Sequence, residues 1–237
     1  MHATRPTPRL AWLFDIDGTL LLTEGAAREA FAATLRDHLE IEDDLRDIAF
    51  AGRIDPLILA DILAKHGLAF GDGEEARFWN GVFDRTRRLL QSGRGRLLPG
   101  VLRLLEALGA ERAWVLGLLT GNMAEMARIK LGRFGLAGRF AFGAYGEQAP
   151  DRESLARGLV QRVEREYDIP PPRCIVVGDT EHDIRCAHAA GARVVAVATG
   201  WCSHAELEAL SPDLLLADLS DADGLMRWAR GLDGPRA

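Results

Sequence analysis

The sequence Leu10-Ala-Trp-Leu-Phe-Asp-Ile-Asp-Gly-Thr-Leu20 begins with five apolar residues and then places two carboxylates beside a glycine. The apolar residues predict a short buried strand over 10–14. Asp15 and Asp17 follow where that strand should end, and they project to the same side because side chains alternate along a strand. Such a pair indicates a divalent cation, or one acid that attacks an electrophile while the other moves a proton. A polar strand end with an Asp-Gly turn is the plainer alternative.

Further along the chain, apolar runs alternate with segments rich in helix formers. Continuous apolar runs are typical of strands that are buried on both faces of a parallel sheet. They occupy residues 113–119, 173–177 and 192–198, with weaker candidates at 140–144 and 213–217. This alternation predicts an α/β fold in which helices cover both faces of a parallel sheet.

The region between the first strand and the other strands carries helical patterns only. Helical segments are expected there at residues 26–35, 56–63 and 76–90. We therefore expect a small all-helical domain over residues 23–96, inserted after strand one. Residues 1–22 and 97–237 are expected to form the α/β core.

Composition narrows the class of protein and of partner. The chain has 237 residues, of which 48% are hydrophobic and 27% charged, and these values are typical of a packed globular protein. Its 29 basic and 35 acidic residues give a net charge of −6, which argues against a nucleic-acid partner. No apolar stretch is long enough to span a membrane, and no signal-peptide pattern is present. Three cysteines without metal-ligand spacing fit a reducing cytoplasm. We expect a cytoplasmic monomer or homodimer with no nucleic-acid or membrane partner.

Polar side chains follow three of the predicted strands. The two carboxylates follow the first strand, Thr120-Gly-Asn122 follows the second apolar run, and Gly178-Asp-Thr-Glu-His-Asp183 follows the third. Open parallel sheets bind ligands at the carboxyl ends of their strands, so these groups are expected to meet in one site. Asp179 and Asp183 would face the same point if a helix starts between them, although acids are also favoured at an ordinary helix start.

These motifs carry a resemblance to a known family. Asp15-Ile-Asp-Gly-Thr-Leu20, Leu119-Thr-Gly-Asn122 and Val177-Gly-Asp-Thr-Glu-His-Asp-Ile184 resemble motifs one, two and four of the haloacid dehalogenase (HAD) superfamily. Within it, the chain most resembles the phosphoglycolate phosphatase and β-phosphoglucomutase-like group. The resemblance implies a Rossmann-like three-layer core with a helical cap domain. It also implies a Mg²⁺-dependent phosphatase that hydrolyses a small phosphomonoester through an aspartyl-phosphate, with phosphoglycolate as the first candidate.

The resemblance also implies a role for each motif residue in phosphate chemistry. Asp15 would be the nucleophile. Asp17 would protonate the leaving oxygen and then deprotonate the attacking water. Thr120 would donate its hydroxyl to a phosphate oxygen, and Gly121 and Asn122 would add backbone N–H groups at a helix start. A simple helix cap is the alternative for this second motif.

A magnesium ion is the cofactor that the resemblance implies. Asp179 would bind it together with Asp15 and the backbone carbonyl of Asp17, and Asp183 would act in or beside this shell. Mg²⁺ prefers oxygen ligands, which this set supplies. A bound cation would also reduce the repulsion between an anionic nucleophile and an anionic phosphate.

The third family motif, a lysine before motif four, is absent at its usual place. The segment Ala149-Pro-Asp-Arg-Glu-Ser154 offers Arg152 instead, and a guanidinium can bind carboxylate and phosphate in a fork. Lys130 is the alternative cation. Its position about ten residues after Thr120 predicts that it lies near the middle or far end of a helix. We therefore prefer Arg152 for this role.

The helical region contributes one candidate substrate contact. Ala51-Gly-Arg-Ile-Asp-Pro56 resembles a Gly-x-Thr-Asp stretch in the caps of related phosphatases, and Arg53 could bind a second anionic group of the substrate. A loop with an Asp-Pro helix start explains the same residues. Because Asp17 is present, phosphate-ester hydrolysis is favoured over dehalogenation and phosphonate hydrolysis. A phosphomutase also keeps both acids, and the missing lysine leaves room for a catalytically weak binding or regulatory protein.

Overall fold

A parallel sheet lies at the centre of the protein, whose computed structural model describes residues 9–232. In chain order the strands are β1 (Leu10–Phe14), β2 (Leu21–Leu22), β3 (Arg96–Leu97), β4 (Trp114–Leu119), β5 (Phe142–Ala144), β6 (Cys174–Gly178), β7 (Arg193–Val197) and β8 (Leu214–Leu216). Within the described residues, six of them form the sheet in the order β5-β4-β1-β6-β7-β8, and every pairing is parallel. The other two strands, β2 and β3, form a separate antiparallel ribbon.

Helices cover both faces of this sheet. In chain order they are α1 (Ala26–Leu39), α2 (Asp55–Lys65), α3 (Glu74–Gln91), α4 (Val101–Ala110), α5 (Ala124–Arg133), α6 (Arg152–Tyr167), α7 (Glu181–Ala189), α8 (His204–Glu208) and α9 (Ala222–Leu232). Side chains alternate along β1, so Trp12 and Phe14 pack with α4 and α9, whereas Ala11 and Leu13 pack with α6 and α7. The predicted three-layer α/β core is confirmed.

The register of β1 explains why distant motifs meet. All five residues of this strand are buried, and Phe14 pairs with Leu118 of β4 on one side and with Val177 of β6 on the other. The residues that follow these three strands therefore emerge at the same edge of the sheet. Asp15 and Thr120 are brought together in this way.

Helices α1, α2 and α3 pack around a core of their own. Phe31, Phe78 and Trp79 lie in this core, and Met126 and Ile129 of α5 join it from below. We call α1–α3 and the loops between them the cap. The chain enters and leaves the cap through the β2–β3 ribbon, and the predicted domain boundaries at residues 22/23 and 96/97 fall there.

Some elements differ from the sequence-based expectation. Helix α6 begins at Arg152, because the Asp151 side chain accepts a hydrogen bond from the Ser154 N–H at 2.7 Å and caps the helix. The ribbon, α8 and α9 were not predicted. No helix among residues 9–232 combines the length and the apolar character that crossing a membrane requires. The basic N-terminal residues 1–8, and residues 233–237, lie outside the described part of the chain.

Candidate active site

Three buried carboxylates meet at the carboxyl end of the sheet. One carboxylate oxygen each of Asp15, Asp179 and Asp183 lies within 4.8 Å of the other two. The Asp15 N–H donates to the carbonyl of Val177 at 2.9 Å, so the residue after β1 is tied to β6. Together with Asp17, these three residues form what we call the carboxylate floor.

Asp179 has an oxygen that no protein group satisfies. Its Oδ1 accepts a hydrogen bond from Thr19 Oγ1 at 3.1 Å, whereas Oδ2 is buried and has no hydrogen-bond partner among the described residues. A Cβ on Gly18 would lie 2.2 Å from this Oδ2 and one on Gly200 would lie 1.7 Å from it, so the carboxylate needs both glycines. Burial, and then repulsion from Asp183, raises the pKa of Asp179 well above its usual range. An unpartnered carboxylate oxygen among other acids is the kind of ligand that Mg²⁺ takes, so these residues fit the ion.

Asp183 is already well bonded by the protein. Its Oδ2 accepts from the Thr180 N–H at 3.0 Å and from Thr180 Oγ1 at 2.6 Å, which forms a capping box at the start of α7. Its Oδ1 accepts a hydrogen bond from Arg152 Nη2. With both oxygens engaged, Asp183 is better suited to hold its neighbours beside a metal than to be a principal ligand.

Arg152 lies against the proposed nucleophile. Its side chain is buried, and Nη2 lies 3.1 Å from Asp15 Oδ1 while it also pairs with Asp183. Burial raises the pKa of Asp15 to about 6, and the neighbouring Arg152 guanidinium opposes that shift. The guanidinium also donates from Nη1 to the Gly52 carbonyl of the cap at 3.4 Å. The structure thus brings the preferred third-motif cation to Asp15.

Lys130 lies past the middle of α5, as the sequence predicted, yet it still reaches the site, so the inference that this position would keep it away was wrong. Helix α5 begins at Ala124, so Lys130 is in its second turn, and side chains of helices point back toward the N-terminus. Its buried Nζ lies 2.6 Å from Asp17 Oδ2 and 2.5 Å from Asn122 Oδ1. Arg152 and Lys130 are therefore not alternatives for one place, since each contacts a different acid of motif one.

The second motif forms a network around Asp17. Asn122 Nδ2 donates to Asp17 Oδ2 and to Thr120 Oγ1, both at 2.8 Å. Thr120 is fully buried, and with Oγ1 acting as an acceptor its hydroxyl hydrogen remains available as a donor. The Asn122 N–H donates to the same Oγ1 at 3.3 Å, and the helix starts two residues later than the motif. The side chain of Asn122, rather than its N–H, thus organises this part of the site.

The cap closes over this motif through Asp55. Its N–H donates to the Gly121 carbonyl at 2.8 Å, and its Oδ2 accepts from the Met123 N–H at 2.8 Å. Burial raises the pKa of Asp55 to about 7, although Lys130 opposes the shift. From the sequence, Asp55 belongs either to a stretch that resembles Gly-x-Thr-Asp of related caps or to a simple helix start, and neither reading predicts its contact with the motif-two loop.

Arg53 lines the cavity that Asp55 also lines, and its contact with a substrate stays a prediction. However, Arg53 Nη1 is paired with Asp61 Oδ2 at 2.5 Å within the cap. Two other lining residues that sequence analysis did not single out are Phe50 and Trp201. The cavity thus joins the carboxylate floor to a surface supplied by the cap and by the loop after β7.

Comparisons with known proteins agree with this architecture. The chain matches the haloacid dehalogenase-like hydrolase family over residues 11–191. A 5'-nucleotidase from Pseudomonas aeruginosa is 28% identical over 211 residues, which cover 88% of this chain and 91% of that protein. A phosphoglycolate phosphatase from Rhodospirillum rubrum is 30% identical over 202 residues, which cover 81% of this chain and 80% of that protein.

Among solved structures, the crystal structure of a predicted phosphoglycolate phosphatase from Haemophilus somnus has the same fold. It superposes with a TM-score of 0.74 at 20% sequence identity. The match covers 94% of this chain and 100% of the Haemophilus somnus chain. The sequence match to the family extends from β1 to the end of α7 and contains every motif of the carboxylate floor. The chain therefore belongs to the haloacid dehalogenase-like hydrolase family.

Proposed function

We propose that this protein hydrolyses a small phosphomonoester with Mg²⁺ as cofactor, through an aspartyl-phosphate on Asp15. The chain is a phosphoric monoester hydrolase of the haloacid dehalogenase-like family, and the proposal adds its metal and its covalent step. The observation that carries it is the group of Asp15, Asp179 and Asp183, whose oxygens lie within 4.8 Å and include the unpartnered Asp179 Oδ2.

Asp15 and Asp179 would hold the ion with the backbone carbonyl of Asp17, and Asp183 would support them from the side. The Asp17 carboxylate itself points to Lys130 and Asn122, which leaves it free of the ligand group. When bound, Mg²⁺ would supply Lewis-acid stabilisation of the phosphoryl oxygens. Side chains of the protein would carry out the nucleophilic attack and the proton transfers.

The chemical steps follow from the positions of the two motif-one acids. An oxygen of Asp15 attacks phosphorus, and the bond from phosphorus to the ester oxygen breaks while Asp17 gives that oxygen a proton. Asp17 then takes a proton from water, which attacks the aspartyl-phosphate, releases phosphate and restores the Asp15 carboxylate. Arg152, at 3.1 Å from Asp15, balances the negative charge on the nucleophile, and the Thr120 hydroxyl donates to a phosphate oxygen.

The substrate belongs among small phosphorylated metabolites. Relatives are named for phosphoglycolate and for 5'-nucleotides, and phosphoglycolate remains the candidate that the sequence put first. The three free cysteines support a reducing, cytoplasmic location. The first assay should therefore include phosphoglycolate and nucleoside 5'-monophosphates among its substrates.

Phosphate release tests the proposal. The assay compares p-nitrophenyl phosphate, phosphoglycolate, sugar phosphates and nucleoside 5'-monophosphates, with Mg²⁺ and with EDTA. We expect turnover that needs Mg²⁺ and that falls at least about 10³-fold in Asp15→Asn, while the exposed-site control Asp72→Asn is unaffected. Turnover that survives Asp15→Asn would contradict the covalent step, and turnover that survives EDTA would contradict the metal.

The two remaining alternatives give different results in the same assay. A phosphomutase would isomerise a sugar phosphate in the presence of its bisphosphate with little release of phosphate. A binding or regulatory protein would release phosphate from no member of the panel.

A further inference from the structure

Aromatic rings from the cap and from the loop after β7 line the cavity above the carboxylate floor. Phe31, Phe50 and Trp201 all line it, and we call these three residues the aromatic wall. We propose that the aromatic wall binds a planar ring in the leaving group, so that nucleoside 5'-monophosphates are preferred over phosphoglycolate. This inference rests on the proposed phosphatase function and names the substrate class of the same cavity.

Trp201 is the first observation that supports a ring-binding wall. Its side chain is 56% exposed, although a large apolar ring is normally buried. The other large apolar side chains that are exposed among residues 9–232 are leucines, and none of these leucines lines the cavity. An indole at the edge of a cavity offers a face on which a base can stack.

The loop that carries Trp201 is fixed to the carboxylate floor. Gly200, one residue earlier, packs so closely on Asp179 that an added Cβ would lie 1.7 Å from its Oδ2. Thr199 Oγ1 donates to the carbonyl of Gly18 at 2.6 Å. Because the two preceding residues are tied to motif-one and motif-four residues, a ring stacked on Trp201 would lie at a defined position relative to the phosphate.

The cap side of the aromatic wall is also ordered by contacts. The Phe50 ring lies edge-on to the Phe31 ring, with centroids 5.5 Å apart and an angle of 89°. The guanidinium of Arg28 lies 4.4 Å from the centroid of Phe50. Arg28 is held in turn by the carbonyls of Leu45 and Ile48, so the orientation of Phe50 is set before any ligand binds.

The charges of the cavity bear on a substrate that carries a second anionic group besides its phosphate. Phosphoglycolate carries a carboxylate, which needs a cation at the end of the cavity away from the phosphate. Among the described residues that line the cavity, the cations on the cap side are Arg28 and Arg53. Arg53 is paired with Asp61, whereas Arg28 donates from Nη1 to backbone carbonyls and lies against the Phe50 ring. Lys130 and Arg152 face the acids of the floor. An apolar ring, in contrast, finds a matching apolar surface in the aromatic wall.

A pair of substrates that differ only by a base isolates this effect. Ribose 5-phosphate and uridine 5'-monophosphate share the phosphate and the sugar, and adenosine 5'-monophosphate extends the series to a larger ring. For the wild-type protein with Mg²⁺, we expect kcat/KM to be about tenfold or more higher for the nucleotides than for ribose 5-phosphate, since aromatic stacking of a base supplies a preference of that order. Equal kcat/KM values, or a higher value for phosphoglycolate, would overturn the proposal.

Variants assign the preference to Trp201. In Trp201→Ala the ratio of nucleotide to ribose 5-phosphate kcat/KM should fall toward one. Trp201→Phe should keep most of the ratio because it retains an aromatic face. Leu102→Ala, which removes an exposed apolar side chain outside the cavity, should change neither value. A ratio that survives in Trp201→Ala would overturn the proposal.

Binding separates failure of this inference from failure of the proposed reaction. If no ester in the panel is hydrolysed, the phosphatase function fails, and calorimetric titration of Asp15→Asn with uridine 5'-monophosphate and with ribose 5-phosphate then decides the ring-binding inference. We expect tighter binding of the nucleotide and loss of that difference in the Asp15→Asn, Trp201→Ala double variant. Equal affinities in Asp15→Asn would overturn the role of the aromatic wall.

Discussion

The carboxylate floor and the aromatic wall line one cavity but are held in place by different forces. In the floor, charged groups from separate elements bond to each other, as Arg152 does at 3.1 Å from Asp15. In the wall, Phe31 and Phe50 are positioned by ring contacts, and Trp201 is 56% exposed. The floor is therefore coupled to the sheet and intolerant of change. In the wall, Phe31 belongs to the core of the cap, whereas Trp201 can vary without disturbing a core. The residues proposed to react and the residues proposed to determine substrate specificity thus lie in separate parts of the cavity.

The largest expected effect comes from the cation of the floor. Arg152→Ala should lower kcat by about 10³-fold, which corresponds to about 4 kcal/mol of transition-state stabilisation. The reason is that Asp15 and Asp183 lose the guanidinium that lies between them, so the nucleophile repels both its neighbour and the substrate. Steady-state kinetics with p-nitrophenyl phosphate and Mg²⁺ measure the effect, and Arg152→Lys should retain more activity than Arg152→Ala.

Folding must be checked in the same variant, because removal of one partner from a buried ion pair can destabilise a protein by about 3–5 kcal/mol. Arg157→Ala is a matched control, since Arg157 lies on the same helix and forms an exposed ion pair with Glu153 at 3.0 Å. Its kcat should equal that of the wild type. Near-normal turnover in a folded Arg152→Ala protein would remove Arg152 from the site and weaken the contrast between floor and wall.

Lys130 should have a smaller effect, and one that depends on the leaving group. Lys130→Met removes the cation that lies 2.6 Å from Asp17 Oδ2 and should lower kcat by about 30-fold for an alkyl phosphate. The decrease should be smaller for p-nitrophenyl phosphate, because p-nitrophenolate leaves with little help from the proton that Asp17 supplies. Lys65→Met, at the only other lysine of the chain, should leave both rates unchanged.

Comparison of the alkyl phosphate with p-nitrophenyl phosphate distinguishes a positioning role of Lys130 from a role in packing. A role of Lys130 in packing alone would lower both rates by the same factor, and such a result would contradict a positioning role for Lys130 at Asp17. A larger decrease for p-nitrophenyl phosphate than for the alkyl ester would do so as well. Either outcome would mean that Lys130 serves the packing of α5 and not the position of Asp17.

The floor was predictable from sequence for reasons that do not extend to the rest of the cavity. The five residues of β1 are apolar because they are buried on both faces of a parallel sheet, and a strand of this kind forces whatever follows it to one edge. The reach of Lys130 was misjudged although its position along α5 was predicted, because a helical side chain points back toward the N-terminus of its helix. The two-residue strands β2 and β3 are too short to carry a hydrophobic period.

The wall escaped prediction because two of its three members lie in loops, although Phe31 lies in the predicted helical segment 26–35. Phe50 lies in a cap loop, and Trp201 lies in a loop whose course is set by Gly200 and Thr199 against the floor. No periodicity or motif relates these two rings to each other. Their shared position is a consequence of tertiary packing between the cap and the core, which single-sequence reasoning does not capture.

The smallest expected effect concerns Asp55, where the cap meets the motif-two loop. Burial raises the pKa of this carboxyl to about 7, so the folded protein holds the proton more tightly than the unfolded chain does. Its contribution to stability is therefore complete below about pH 4 and is lost as the pH rises through about 7. Asparagine does not titrate, and its side-chain oxygen can still accept the bond from the Met123 N–H. The free energy of unfolding of Asp55→Asn should thus increase relative to wild type between pH 4 and pH 7, by about 1 kcal/mol or more.

Urea unfolding of the two proteins from pH 4.5 to about pH 8 measures this difference. Asp72→Asn, at an exposed position of the cap, should show no pH-dependent difference from wild type. Asp55→Ala should be less stable than Asp55→Asn at every pH, because it also leaves the Met123 N–H without its acceptor. A stability difference between Asp55→Asn and wild type that stays constant with pH would show that Asp55 is ionised in the folded protein. The carboxylate would then be charged in the folded protein, stabilised by the nearby charge of Lys130, and the Met123 N–H would donate to a charged rather than a neutral acceptor.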